Sequence, residues 1–141
     1  PKDIKLYKRL GKSGNGNCYT DCQFVRHVPV PDGQTTRTPH LDNAREIYAG
    51  LLYFKDPNDQ SQGGGFNVHT APGDFDYNRK DDNSVQNHGP VATAVPYKSN
   101  TFAMFLNQKG AIHSVEPRTN AQHPRWSINI IGEYTNTAMW R

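Results

Sequence analysis

Apolar and polar residues alternate along most of this chain. Successive side chains of a strand point to opposite faces, so a period of two predicts strands. Thr101 to Asn107 is a clear case, with Phe102, Met104 and Leu106 on one face and Ala103 and Phe105 on the other. Arg125 to Tyr134 is the last long one. It sets Arg125, Ser127, Asn129 and Ile131 on one face and Trp126, Ile128 and Ile130 on the other. Residues 22–30, 35–42, 47–54, 66–70, 91–96 and 111–115 complete about eight short strands, with 47–54 the most apolar and central. Between them stand Pro31-Asp32-Gly33, Asp56-Pro57-Asn58-Asp59, Gly63-Gly64-Gly65 and Gln108-Lys109-Gly110, all turn chemistry. Residues 71–90 read as a polar surface excursion and 116–124 as a loop. Short strands and many turns predict a mainly-β, double-sheet jelly roll or barrel with few or no helices.

Composition agrees with that picture. The chain has 141 residues, 34% of them hydrophobic, with 12 Gly and 10 Pro and a mean hydropathy of −0.85. One loop-rich domain is expected over 19–141, preceded by a flexible basic lead-in, 1–18. The net charge of +3 comes in good part from Lys2, Lys5, Lys8, Arg9 and Lys12 in that lead-in. No strand face carries an evident basic stripe, so nucleic acid ranks lowest among partners. Gly11-Lys12-Ser13 lacks the first glycine and the preceding strand of a phosphate loop. No apolar stretch is long enough to span a bilayer, and no charged-then-apolar leader opens the chain. A soluble, cytoplasmic protein is therefore expected, and the start at Pro1 suggests a processed or partial product. Cys18 and Cys22 lack the second pair of a structural zinc site, so two reduced thiols are expected over a local disulfide.

His40 and Asp42 stand two apart, so one strand would aim both the same way. An imidazole and a carboxylate at that spacing supply two ligands to a divalent ion, and a third must come from elsewhere. His113 is the leading candidate. His123 competes, but it lies between Gln122 and Pro124 on a loop. Two His and one carboxylate on one side of an octahedron leave open positions, which suits non-haem Fe(II). Taken alone, the His-x-Asp triplet is weak evidence. Arg125 and Ser127, two apart on the last strand, offer a fork and a hydroxyl for a carboxylate.

Read together, Phe24-Val25-Arg26-His27, Asp32-Gly33, Pro39-His40-Leu41-Asp42, Tyr48 to Phe54, Gly63 to Phe66, His113-Ser114-Val115 and Arg125-Trp126-Ser127 resemble one family. That family is the Fe(II)/2-oxoglutarate-dependent dioxygenase superfamily, in its prolyl-hydroxylase-like branch, and the likeness covers residues 19–134. The resemblance implies a double-stranded β-helix. It implies that His40, Asp42 and His113 hold iron and that Arg125, assisted by Ser127 and Tyr53, holds the distal carboxylate of 2-oxoglutarate. His27 stands where many members carry a tyrosine near the co-substrate. The expected reaction hydroxylates a C–H bond with Fe(II), 2-oxoglutarate and O2, ascorbate being a candidate reductant, and releases succinate. The expected substrate is a small molecule or a peptide, with peptidyl proline or an amino acid favoured. Members usually carry helices before the first strand. Here a homo-oligomer, a partner chain or a missing N-terminal part is expected to cover Trp126, Ile128 and Ile130. The main rival is a catalytically idle jelly roll, for instance a phage-encoded or virion-associated assembly module. A further rival is a hydrolase or cupin-type isomerase using the same ligands without 2-oxoglutarate.

Overall fold

Where the alternation is strongest, strands form, and no helix occurs among the described residues, 18–73, 84–134 and 138 of the computed structural model. In chain order they are β1 (Cys18–His27), β2 (Glu46–Tyr53), β3 (Gln62–Gly63), β4 (Phe66–His69), β5 (Val91–Val95), β6 (Phe102–Leu106), β7 (His113–Val115), β8 (Arg118–Thr119) and β9 (Arg125–Tyr134). One sheet runs β1-β9-β2-β6, a second β5-β4-β7, and β3 pairs with β8. Every pairing is antiparallel. The result is a mainly-β, jelly-roll-like fold.

The core lies between the four-stranded and three-stranded sheets. Tyr53, Phe66, Tyr97 and Ala103 fill it, with Leu51, Val68, Val95 and Phe105 packed around them. Period-two alternation on β9 puts Arg125, Ser127, Asn129 and Ile131 on the inner face, opposite His27, Val25, Gln23 and Asp21 of β1. The outer face of the same sheet is also apolar. Phe24, Ile128, Leu52 and Phe102 form one cross-strand row, and Phe24 stacks on Trp126 at 5.1 Å. Phe24, Phe102 and Met104 are each more than half exposed on this side.

Three expectations change. The first strand starts earlier and stops at His27, because Pro29 and Pro31 offer no N–H to a ladder. Residues 35–42 do not form the expected strand. They run beside β7 on irregular bonds, from Val115 N to Arg37 O at 3.0 Å and between the His40 and His113 backbones at 3.0 and 3.1 Å. The Thr35 hydroxyl takes over part of the ladder, donating to Val115 O and accepting from Arg37 N. The loop expected over 116–124 contains β8. Cys18 and Cys22 are free thiols on one strand, about 13 Å apart at roughly 3.3 Å per residue, beyond a disulfide's reach. Of the expected lead-in only Cys18 is described, and 74–83 of the excursion lie outside the described residues.

Candidate active site

His40 and His113 face each other because an isolated backbone bridge pairs them. Their rings lie 4.2 Å apart between centroids. Each ring is turned by its own backbone. The Nδ1–H of His40 donates to Thr38 O at 2.7 Å and that of His113 to Ala111 O at 2.9 Å. A carbonyl can only accept, so each Nδ1 carries a proton, which leaves Nε2 as the ligand atom of each ring. Both Nε2 atoms face Asp42 Oδ1, at 3.7 and 3.4 Å. The three ligand atoms lie within 4.8 Å of one another. Burial, then His113 and Arg37, lowers the His40 pKa to about 4, so that ring is neutral. Burial pushes the Asp42 carboxyl up, but the close His113 and His40 rings and the Arg37 charge outweigh it, and the carboxyl stays ionised. Two nitrogen lone pairs and an anionic oxygen at such range repel unless a cation lies between them. The donor set fits a divalent ion with open positions.

Arg125 lies on the inner face of β9 and is 1% exposed. Its Nε donates to Gly64 O at 2.7 Å, Nη1 to His27 Nδ1 at 3.1 Å and Nη2 to the Tyr53 hydroxyl at 2.9 Å. Among the described residues no carboxylate lies within 4.0 Å of it. Burial and the Arg125 charge keep His27 below its usual pKa, which suits its role as acceptor. Burial raises Tyr53 and keeps its hydroxyl protonated, against the pull of Arg125. Gly64, at φ +80°, has room for no side chain because the Arg118 stem would lie 2.8 Å from its Cβ. Its backbone can therefore approach both arginines.

A cavity of about 250 Å³ joins these parts, with His27, Arg37, His40, Asp42, His113 and Arg125 among its walls. The Thr36 hydroxyl, also in the wall, is buried without a hydrogen-bond partner. Tyr53 and Ser127 do not line the cavity. Ser127 is buried and donates its proton to Asn129 Oδ1 at 2.8 Å. His123 is not part of the group and lies 4.0 Å from Asp56. His69 is buried, with Nε2 on Ser114 Oγ at 2.8 Å. His88 is exposed.

Sequence reasoning missed two wall or near-wall features. One is Arg118, buried on Asp59 at 2.8 Å from a stretch read as a loop. The other is Glu46, which strict alternation assigns to the outer face.

Residues 15–131 match the family described as the 2OG-Fe(II) oxygenase superfamily. The chain belongs to this superfamily. Oxygenases of this kind use Fe(II), 2-oxoglutarate and O2, and the histidine–carboxylate group is suited to the first. Among solved structures, a prolyl-4-hydroxylase from Pseudomonas putida is similar over 92% of this chain, with 18% identity and a TM-score of 0.47. The chain spans 59% of that enzyme's length. No curated protein matches it significantly. No helix among the described residues is long and apolar enough to cross a membrane.

Proposed function

We propose that this chain is an Fe(II)/2-oxoglutarate-dependent dioxygenase that hydroxylates a C–H bond of a small molecule or peptide, of the prolyl or amino-acid type. The observation that carries the reading is Arg125. A buried guanidinium without a counter-anion is unfavourable, and it lines the same cavity as a triad of ligands suited to iron. A dicarboxylate that reaches from one to the other would relieve both.

In this reading His40, Asp42 and His113 hold the ion, and the Thr38 and Ala111 carbonyls fix the imidazole orientations. When bound, iron with 2-oxoglutarate and O2 supplies the oxidation that converts the co-substrate to succinate and hydroxylates the substrate. Gly64, His27 and Tyr53 occupy three N–H bonds of Arg125, which leaves about two of the guanidinium's five for a carboxylate. Leu51, Phe66 and Phe105 wall the cavity and limit water around the ligands.

Anaerobic titration with Fe(II) and then 2-oxoglutarate tests this. A visible metal-to-ligand charge-transfer band should form in the wild type and be lost in His40→Ala. A folded protein that binds Fe(II) and gives no band would instead be an idle jelly roll or a metal enzyme of another class.

A further inference from the structure

The inner face of β9 ends in opposite charges. Arg125 stands at its start and Glu133 eight positions on. Opposite Glu133 is Glu46 of β2. Regular alternation would turn Glu46 outward, with Tyr48, Gly50 and Leu52. The register shifts between Glu46 and Tyr48, and this bulge moves the carboxylate to the inner face. There Glu46 lines the same cavity as His40, Asp42 and His113. Bulges beside sites commonly re-aim one side chain in this way.

The two carboxylates then differ in company. Glu133 is paired with Arg45 at 3.4 Å. Glu46 has no cation within 4.0 Å among the described residues, and the charges that act on it are those of Asp42 and Glu133, both negative. Burial and these two anions together push its pKa up to about 8. An ion held by the triad would cancel Asp42. Glu46 would still lack a cation of its own, and the cavity that it lines is where one can enter.

We infer that Glu46 is a specificity-determining residue that receives a protonated nitrogen of the substrate. The inference rests on the oxygenase reading above and deepens it. The substrate is then an amine-bearing one, either a free amino acid or an amine side chain within a peptide. Peptidyl proline, whose nitrogen is an uncharged amide, offers Glu46 nothing, whereas free proline carries a protonated ring nitrogen.

The test measures succinate release by the Fe(II)-loaded protein with four probes: free L-proline, free L-lysine, an Nα-acetyl-lysine methylamide and an N-terminally blocked proline-containing peptide without amines. An Nα-acetyl-norleucine methylamide serves as the isostere lacking the side-chain amine. Amine-bearing probes should exceed their neutral counterparts about tenfold or more in kcat/KM. Which amine probes succeed separates free amino acids from peptide side chains. Glu46→Gln should raise KM for those probes by about 10- to 100-fold while leaving the charge-transfer band with 2-oxoglutarate unchanged. Glu46→Lys should reverse the preference toward glutamate. A normal band with no preference for amine probes, in binding or turnover, overturns the role of Glu46. Loss of the band in the wild type overturns the oxygenase reading itself.

Discussion

Arg118 and Arg125 share a neighbourhood and differ in their company. Both guanidinium groups lie over the Tyr97 ring, at 5.7 and 5.5 Å, and both side chains are buried. Arg118 is fully answered: Asp59 at 2.8 Å, Ser61 Oγ at 2.8 and 3.3 Å, and His123 O at 3.1 Å. Among the described residues Arg125 has neutral partners alone. A closed ion pair holds β8 against the loop that carries Asp59 and Ser61. An open one leaves a charge for something that comes from outside. The difference teaches that burial of an arginine says little until its anion is found.

If that contrast is right, removing the closed pair harms the fold and removing the open charge does not. Arg118→Ala strands Asp59 in the interior and should destabilise the protein by about 3–5 kcal/mol, measured by urea denaturation. A loss under 1 kcal/mol, on the order of an exposed pair, would remove the contrast.

Glu46 is the acidic counterpart of Arg125, a charge short of a partner, and pH exposes it. Its folded pKa of about 8 stands above the ordinary 4.5. A carboxyl raised in this way stabilises the fold fully below 4.5 and loses that stabilisation as pH climbs through 8. His40 runs the other way. Burial first, then His113, lowers it from 6.5 to about 4, so its contribution is complete above 6.5 and is lost as pH falls toward 4. Between 6.5 and 8 only Glu46 of the two acts. With metal removed by chelator, stability should fall by roughly 2 kcal/mol across that window. Glu46→Gln should flatten the fall, and an identical slope in the variant would contradict the assignment.

Much of the sheet could be read from alternation. β9 begins and ends where its pattern predicts, and β2 and β6 lie within a residue or so of theirs. Period two also sorted Phe102 and Met104 outward from Ala103 correctly. Residues 35–42 misled because the Thr35 hydroxyl and scattered backbone bonds replaced a ladder there, which leaves no mark on the hydrophobic pattern. Arg118 and Asp59 are 59 positions apart, and neither sits in a periodic stretch. A bulge hid Glu46, since one extra residue reverses every later assignment of face. As for the candidate site, His-x-Asp proximity is local and follows from spacing. The approach of His113 depends on a bridge between distant backbones, which spacing along the chain does not show.

The smallest effect on stability is expected at Arg125. Arg125→Ala should stay within about 1 kcal/mol of the wild type, because a buried charge without an anion contributes little net stability. Its effect belongs to the co-substrate, and one measurement tests that most directly. Anaerobic calorimetry on the Fe(II)-loaded protein would compare 2-oxoglutarate with 2-oxobutyrate, which lacks the distal carboxylate. The wild type should prefer 2-oxoglutarate by about tenfold or more, and Arg125→Ala should bind the two equally. Equal affinities in the wild type, or a preference that survives in Arg125→Ala, would contradict the claim that this guanidinium awaits a carboxylate.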